Sequence, residues 1–580
     1  MDSGMSAIRK TEGESFSRKH VRVMLVAGMS FFTDAYDLFI IGIVLIMIKP
    51  IFGLSAAQIG LVASAALFGA VIGPVIFGVI GDKFGRKSAY WLTVTILIIG
   101  ALGSATSLDY IQLVIWRFVL GIGIGGDYPL SATIVAEYSN KKDRGKMIAS
   151  TFAMQGFGLV AGVGIGFLLL STGLSVSIIW RLLLAFGAIP TLLILKQRTK
   201  ILETPWFNLM KGSTSYAKTT DSSAPRKALF HASSIPSRRP PAISFRRFIK
   251  TKWQIVLGTS LTWFLMDISY YGTAIFTPYL AMLFGFSGIF ASTQISALIL
   301  ILAAVPGYWV AVALIDKQGR KSMQVIGFLA MGLCFMLLFL SGNALLTGSM
   351  VSFFAIYGLS FFFTNYGPNT TTYVYPTELY PTSLRARGHG IAAMSGKLGA
   401  ALSALFFPVL LIQIGKFNLI GILGALAFTG AVLTMLLLPE TKKRSLLETS
   451  AEGELSIITA DLHNEFDSLL SNIYDTSFML KNMLNSAGIN SDKCFKTAKQ
   501  NEHAADTNVR NIINYVSETR VNTRIYTDIS HLARRLDDII DGEKTLASRL
   551  YVYKINKPDG FMANFSAINM ECVALVKEER

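Results

Sequence analysis

The sequence predicts an all-α membrane protein with twelve transmembrane helices in two pseudo-symmetric six-helix bundles and a C-terminal helical extension. Three observations support this fold class. Of the 580 residues, 52% are hydrophobic and 15% are charged, whereas soluble proteins carry about 25% charged residues. Twelve apolar runs are long enough, at roughly 20 residues each, to cross a bilayer. A short basic motif also recurs at equivalent places in the two halves.

The apolar runs are grouped six and six around a polar gap, at 21–48, 57–80, 88–106, 110–137, 146–171, 174–196, 253–285, 292–315, 323–342, 347–377, 388–413 and 416–438. The first run outlasts a signal-peptide core, so we expect it to be retained. The expected organisation is an N-terminal tail (1–20), a first bundle (21–197), a basic linker (198–252), a second bundle (253–440) and a helical tail (441–580).

Basic residues concentrate in alternate loops, which predicts the orientation. They include Lys83, Arg86, Lys87, Lys141, Lys142, Arg144, Lys146, Lys317, Arg320, Lys321, Arg385, Arg387, Lys442, Lys443 and Arg444. By the positive-inside rule, both termini and the central gap are cytoplasmic, in a protein of the plasma or inner membrane. The net charge of +17 is then explained by topology, so we expect a lipid bilayer and no nucleic acid as partner.

The linker is basic and rich in Ser and Pro. Its composition favours a disordered segment, and attraction to anionic lipid headgroups is the alternative. The three cysteines, Cys334, Cys494 and Cys572, have no spacing that suggests a disulfide or a metal site. No cofactor is therefore expected.

The two halves repeat each other in their charged loops. GDKFGRK begins at Gly81 and IDKQGRK at Ile315. A six-plus-six parallel repeat predicts a binding site between the halves. We expect the loop charges and their neighbours to hold the cytoplasmic helix ends together or to gate the path: Asp82, Arg86, Arg117, Glu137, Arg144, Asp316, Arg320, Glu378 and Arg385.

Ionisable residues within the apolar runs indicate a polar path through the membrane. Asp127 lies near the middle of the fourth run, in a Gly-rich stretch before Pro129. Asp34 and Asp37 are three residues apart in the first run, which places them on one helical face. A carboxyl at this depth costs about 3 kcal/mol on insertion scales, so we expect these three acids to face a partner or a cavity.

The seventh run carries Trp263, Asp267 and Tyr271 on one helical stripe, and the eleventh run carries Lys397. A buried ammonium needs a counter-charge or a cavity. Tyr128, Gln155 and Asn369 add neutral hydrogen-bonding groups. Asp127 and Asn369 occupy equivalent places in the two halves, as do Gln155 and Lys397, so we expect them to converge on a central cavity, although packing is an equally good explanation for each neutral group alone.

Five sequence segments carry a family resemblance that covers about residues 20–445. GDKFGRK and RFVLGIGIGG resemble signatures of the major facilitator superfamily. FFTDAYDLFIIGIV, GIGGDYPLSATIVAEYSNKKDRG and YGPNTTTYVYPTELYPT are similar to segments of its phosphate:proton symporter family. The resemblance implies phosphate binding by Tyr128, Gln155, Trp263, Asp267, Tyr271, Asn369 and Lys397. It also implies proton movement by Asp34, Asp37 and Asp127.

The candidate residues by themselves suit an anion that retains a proton. Monobasic phosphate accepts hydrogen bonds from a cation and neutral donors and donates one to ionised Asp267, whereas sulfate has no proton to donate. We therefore expect alternating-access import of inorganic phosphate with protons. The alternatives are an organic phosphate ester or another small organic anion as substrate, and a transporter-derived sensor. No nucleophile, base or metal spacing predicts an enzyme.

The C-terminal tail contains two amphipathic helical stripes. The first consists of Leu455, Ile458, Leu462, Phe466, Leu469 and Ile473. The second consists of Ile525, Ile529, Leu532, Leu536 and Ile539, with the spacing of a coiled-coil seam. These patterns predict a small helical bundle or a self-associating seam, and a regulatory module is the alternative.

Overall fold

A computed structural model describes residues 16–199, 245–286, 288–381, 384–444, 446, 451–485, 491–518, 523–555 and a few positions between 560 and 572. Most of the predicted N-terminal tail and linker therefore lies outside the described residues. The chain divides into two compact units, Met1–Ala451 and Glu452–Arg580.

The first half of the membrane unit contains the first six predicted runs. Its helices are α1 (Arg18–Phe52), α2 (Ala56–Phe84), α3 (Arg86–Ala105), α4 (Tyr110–Tyr138), α5 (Arg144–Leu170), α6 (Val176–Phe186) and α7 (Ala188–Thr199). Side-chain caps define several starts: Ser55 accepts from the Gln58 amide before α2, and Asp109 accepts from the Gln112 amide before α4. The sixth run is one span in the sequence pattern but two helices in the structure, divided at Gly187.

The second half repeats this plan. Its helices are α8 (Phe245–Thr251), α9 (Trp253–Leu283), α10 (Ile289–Ile299), α11 (Val305–Gln318), α12 (Arg320–Gly348), α13 (Met350–Tyr366), α14 (Pro368–Leu379), α15 (Arg385–Gln413) and α16 (Lys416–Leu437). A π-helical turn, Leu300–Ala304, joins α10 to α11. The tenth run breaks at Gly367, because Pro368 has no N–H to continue the ladder and begins α14 instead.

All twelve predicted apolar runs are helical, which confirms the fold class. Within the described residues, nine helical stretches are long and apolar enough by themselves to cross a membrane. The remaining runs correspond to α3, to α9 and to the broken pair α13–α14. The apolar part of α3, Ala89–Ala105, is shorter than the other spans, and the tenth run is interrupted at Gly367.

The two halves meet along equivalent helix pairs. Helix α2 of the first half packs on α15 of the second, and α5 packs on α11. Helices α1 and α9 add a third contact between the halves. The α2–α15 approach is close enough that a Cβ at Gly60 would collide with the Leu405 carbonyl. The repeat seen in the sequence therefore corresponds to a pseudo-twofold arrangement in space.

Helix α4 packs against α2 through glycines, as its sequence predicts. A Cβ at Gly121 would collide with the carbonyl of Ala66, and one at Gly69 would collide with the carbonyl of Phe118. Small residues at such positions let two helix backbones approach. The helix also continues through Pro129 without interruption, although Pro129 has no N–H for the backbone ladder.

The tail forms a separate three-helix unit. Its helices are α17 (Ala451–Asn485), α18 (Ser491–Glu518) and α19 (Thr523–Val552). Leu469, Ile473, Ile512, Leu536 and Ile540 are among its buried core residues. A helical bundle is therefore observed in the tail.

Most of the predicted tail stripes contact that core. Leu462, Phe466, Ile529 and Ile539 pack against it, whereas Leu532 is 54% exposed and lies outside this core. The side chains of Leu455, Ile458 and Ile525 lie outside the described residues. Ala533 takes the core-facing place beside Leu532, because the helix turns by about 100° per residue.

We expect Gly121→Ala to destabilise the membrane unit by about 1–3 kcal/mol, the usual cost of overpacking. The matched control is Gly164→Ala in α5, where an added methyl meets no atom within 4 Å and raises helix propensity. Thermal unfolding of the purified proteins in detergent measures both changes. Equal unfolding temperatures for the two variants would contradict the close α2–α4 packing.

We expect Asp537→Asn to stabilise the tail at neutral pH. Partial burial and then the charges of Asp506, Asp541, Asp538 and Glu502 raise the pKa of the Asp537 carboxyl. Because the folded state holds this proton more tightly than the unfolded state, the wild-type tail loses stability as pH rises from the unfolded pKa through the folded pKa.

The gain from Asp537→Asn should therefore vanish at acidic pH, where the wild-type carboxyl is protonated in both states. Thermal unfolding of residues 452–580 across a pH series measures the difference between the two proteins. A gain that is the same at every pH would show that charge at this position is not the cause.

Candidate functional site

A buried ion pair between α9 and α15 lies at the centre of the membrane unit. Lys397 Nζ donates to Asp267 Oδ2 at 3.2 Å and to the Tyr271 hydroxyl at 2.8 Å. Asp267 and Tyr271 are one turn apart on α9, so both reach the same ammonium. All three side chains are buried. The predicted pairing of the lysine with a counter-charge is thus observed.

The first half contributes an aromatic face to this ammonium. Lys397 Nζ lies 4.6 Å from the Tyr128 ring centroid and 4.4 Å from that of Tyr271, within cation–π range. Tyr128 belongs to α4 and Tyr271 to α9. The charge is therefore enclosed between the two halves.

A chain of neutral hydrogen bonds continues from Tyr128 across the interface. Gln155 Nε2 donates to the Tyr128 hydroxyl at 3.2 Å, and Gln155 Oε1 accepts from the Tyr308 hydroxyl at 3.2 Å. Asn369 Nδ2 donates to Tyr308 at 2.8 Å and to Asn365 Oδ1 at 2.7 Å. The predicted neutral residues Tyr128, Gln155 and Asn369 are thus brought together.

Unlike the atoms of this chain, three buried polar atoms beside the ion pair lack a well-formed hydrogen bond. The Trp263 indole nitrogen, Asp267 Oδ1 and the Tyr270 hydroxyl make no hydrogen bond of normal geometry with any residue that the structure describes. The Trp263 indole makes a hydrogen-bond contact of looser geometry with the Asp267 carboxyl group. An unmet buried group costs about 1–3 kcal/mol, so two donors and one acceptor here indicate a place for a polar ligand.

An aromatic ring of the first half packs on the site. Phe39 of α1 stacks on Tyr271 with 5.3 Å between ring centroids. It also lines a narrow cleft between the halves with Tyr36, Thr277 and Ser296. One ring therefore contacts both the cleft and the tyrosine that holds Lys397.

Two of the three predicted proton-coupling acids lie around Tyr373. Asp127 Oδ1 accepts from the Thr93 hydroxyl at 2.6 Å. Asp34 interacts electrostatically with Tyr128 and Tyr373, and Asp127 interacts with Tyr373 as well. Asp34 and Asp127 are therefore near the anion-binding candidates but do not form part of the ion pair.

Asp37 has different surroundings. Its backbone carbonyl accepts from Arg117 Nη1 at 2.8 Å, and its carboxylate interacts electrostatically with that guanidinium. A Cβ at Gly187 would collide with the same carboxylate. The three-residue step from Asp34 leaves an angular difference of about 60°, which directs Asp37 toward Arg117 and the α6–α7 break. The three acids thus do not form one cluster, and Arg117 lies beside Asp37, away from the loop pairs.

The charged residues at the basic-loop end form crossed pairs between the halves. Arg144 Nε donates to Glu378 Oε1 at 3.1 Å, and Arg385 Nη1 donates to Glu137 Oε1 at 3.3 Å. Each half thus supplies the arginine for the other half's glutamate. Arg320 adds a further contact to Glu378 at 2.7 Å. The predicted role in holding helix ends together is consistent with this geometry.

The aspartates of the repeated motif bind helix starts in the opposite half. Asp82 Oδ2 accepts from the backbone N–H of Arg387 at 3.1 Å, and Asp316 Oδ2 accepts from that of Lys146 at 2.7 Å. Each amide is the third of its helix, so each carboxylate satisfies an otherwise unpaired donor. The side chain of Arg86 lies outside the described residues.

The membrane unit extends past the predicted boundary at 440. The Thr441 hydroxyl donates to Glu378 Oε2, and the Arg444 carbonyl accepts from Arg144 Nη2. Residues 441–444 thus complete the crossed-pair region of the membrane unit.

Sequence reasoning did not identify Tyr308, Asn365 or Thr93. Asn365 precedes Asn369 by one helical turn, and this spacing is a signal that could have found it. Tyr308 and Thr93 have mainly apolar neighbours within their runs, where packing is the usual explanation. Their contacts come from other helices, which the sequence alone does not specify.

Comparison with solved structures identifies the fold. The described geometry is similar to that of the major facilitator superfamily proton:xylose symporter XylE bound to 6-bromo-6-deoxy-D-glucose, with a TM-score of 0.65 and 20% identity, over 74% of this chain and 98% of that chain. A partially occluded inward-open XylE from E. coli gives a TM-score of 0.59 at 20% identity, over 73% of this chain and 99% of that one. The fold is thus that of a major facilitator.

The family is shown by sequence. Residues 23–452 match the family model described as sugar (and other) transporter, and the chain belongs to that family. It is 35% identical over 497 residues to inorganic phosphate transporter 1-6 of Oryza sativa subsp. japonica, covering 75% of this chain and 93% of the relative. It is 34% identical to the low affinity inorganic phosphate transporter 1 of Petunia hybrida, covering 75% and 93%. These names confirm the expectation that the chain is not an enzyme.

We expect Lys397→Met to destabilise the protein by about 3 kcal/mol or more, because it leaves the buried Asp267 carboxylate without its cation. The double variant Lys397→Met with Asp267→Asn removes both charges and should recover most of that loss. Thermal unfolding in detergent compares the two. Additive losses in the double variant would contradict a direct interaction between the two side chains.

Proposed function

We propose that this protein imports inorganic phosphate together with protons by alternating access. The observation that carries the proposal is the composition of the centre: one buried cation, one carboxylate with an unsatisfied oxygen, and unsatisfied neutral donors at the join of the halves. A ligand that fits must accept several hydrogen bonds and donate one. Monobasic phosphate does both.

The ion pair gives this centre its selectivity. Lys397 supplies the positive charge. The Trp263 indole N–H and the Tyr270 hydroxyl are donors, and Asp267 Oδ1 accepts the proton that phosphate retains. Sulfate at neutral pH has no proton for that oxygen, so the two negative charges would face each other without a hydrogen bond. The expected order of preference is therefore phosphate well above sulfate.

The relatives support phosphate as the substrate. Several plant proteins about 33–35% identical to this chain are named inorganic phosphate transporters, and each aligns with 75% of this chain. The solved structure of similar fold is named a proton:xylose symporter. No geometric observation favours an organic phosphate ester, another organic anion or a sensor over phosphate.

Proton coupling is assigned to Asp34 and Asp127, with Asp37 in a separate position. The first two lie near Tyr373, one aromatic layer from the anion-binding candidates. Protonation of these acids lowers the cost of an anion-loaded centre, because it removes nearby negative charge. Asp37, beside Arg117, would respond to protonation by changing the packing of α1 against the α6–α7 break.

The access cycle follows from the two ends of the bundle. With both termini in the cytoplasm of a plasma-membrane protein, the crossed Arg144–Glu378 and Arg385–Glu137 pairs close the cytoplasmic end. Opening that end requires both pairs to separate while the halves rock about the central site. Regulation of transport by the tail, or self-association through it, remains a prediction.

We expect the purified protein in liposomes to accumulate phosphate when an inward proton gradient is imposed, and to stop when the gradient is removed with a protonophore. Radiolabelled phosphate uptake measures this, with sulfate as competitor. Asp34→Asn and Asp127→Asn should abolish accumulation against a gradient because they cannot exchange the proton. The matched surface control is Asp109→Asn, at the exposed start of α4.

Two outcomes would contradict the proposal. Accumulation that survives in Asp34→Asn and Asp127→Asn would overturn the assigned coupling. Uptake of sulfate as fast as phosphate would overturn the role of Asp267 in selecting a protonated anion.

A further inference from the structure

The hydroxyl of Tyr308 connects the two halves at the level of the site. Tyr308 is 1% exposed and belongs to α11 of the second half, while its acceptor Gln155 belongs to α5 of the first. The same hydroxyl accepts from Asn369 Nδ2 at 2.8 Å. Tyr308 thus holds together two residues to which the proposed function assigns phosphate binding.

The neutral groups at this place satisfy one another. Gln155 uses its Nε2 on Tyr128 and its Oε1 on Tyr308, and Asn369 uses its Nδ2 on Tyr308 and Asn365. This arrangement avoids the cost of burying an amide without partners. Asn369 has both of its N–H groups in use, so it can turn to an anion only when one of these bonds is released, whereas Gln155 donates one of its two N–H groups here.

The Tyr270 hydroxyl lies next to Tyr308 and Asn365. The Tyr270 hydroxyl interacts with Asn365 and Tyr308 but has no hydrogen bond of normal geometry among the described residues. Tyr270 follows Asp267 by three residues on α9, so it faces the same space as the ion pair. We therefore expect a polar ligand beside Lys397 to lie near the hydroxyls of Tyr270 and Tyr308.

We infer that Tyr308 is a further anion-binding residue, whose hydroxyl donates to Gln155 in the empty site and to the anion in the loaded site. This rests on the proposed function and deepens it. A charged oxygen is a stronger acceptor than an amide oxygen, and hydrogen bonds to ionised groups are roughly twice as strong as neutral ones. The anion thus draws the Tyr308 proton away from Gln155 Oε1, which can then accept the proton that the anion retains, while Asn369 still donates to the Tyr308 oxygen.

The first test is Tyr308→Phe in liposomes that carry the full chain. Loss of one hydrogen bond to a charged group should raise the phosphate concentration for half-maximal uptake by about 10-fold or more, with maximal uptake largely retained. The matched control is Tyr357→Phe in α13. Tyr357 is equally buried, and its hydroxyl donates to the Thr273 carbonyl at 3.2 Å, outside the site.

A second readout separates ligand binding from a structural role. Unfolding temperatures are measured in detergent with and without inorganic phosphate. Tyr308→Phe should reduce the phosphate-induced rise in unfolding temperature, while Tyr357→Phe should lower the starting temperature and leave the rise unchanged. A full phosphate-induced rise in Tyr308→Phe would overturn the inference and assign the residue a packing role.

A nearly isosteric substitution keeps the inference testable if Tyr308→Phe does not fold. 3-Fluorotyrosine incorporated at 308 or at 357 reports its surroundings by fluorine NMR. Phosphate should shift the signal at 308 and leave that at 357 in place; an unmoved signal at 308 would overturn the inference. If the wild-type protein itself neither binds nor transports phosphate, the proposed function fails, whereas normal wild-type behaviour with an unaffected Tyr308 variant rejects this inference alone.

Discussion

The ion pair of Lys397 and Asp267 is the interaction on which the centre of this protein depends. Each charge alone would be expelled from a low-dielectric interior at a cost of several kcal/mol. Together they are tolerable because they are 3.2 Å apart and because tyrosines supply a hydroxyl and ring faces to the ammonium. The polar and aromatic character of the surrounding helices follows from the need to accommodate these charges.

The hydrogen bonding of the pair is also incomplete, and the proposed binding of an anion depends on this. Asp267 has a second oxygen that accepts no hydrogen bond of normal geometry from any described residue, so the site can still bind a ligand. Because the charges of Lys397 and Asp267 balance, the site has no net positive charge that would attract every anion. A site with only a cation would bind sulfate and phosphate alike. In the proposed function, the carboxylate beside the cation makes the proton on the ligand the feature that distinguishes phosphate from sulfate.

Symmetry and asymmetry have different roles in the two regions of the membrane unit. At the basic-loop end, the halves exchange equivalent partners, since each arginine binds the other half's glutamate. Each half therefore contributes one arginine and one glutamate to this end, and Arg320 adds a further contact to Glu378. At the centre the halves differ: the second supplies both charges, whereas the first supplies Tyr128 and Gln155. The two halves are thus equivalent in their crossed pairs but different in the side chains that they supply to the central site.

The amino-acid sequence by itself determined the twelve spans, the internal repeat and the residues whose charge is too costly to bury without a purpose. Length, hydropathy and charge depth are local properties, so Asp127, Asp267 and Lys397 were identifiable without coordinates. Only the tertiary structure decided which charges meet. It paired Asp37 with Arg117, crossed the loop arginines between halves and placed Tyr308 beside Gln155, because these contacts join residues tens to hundreds of positions apart and depend on how helices pack.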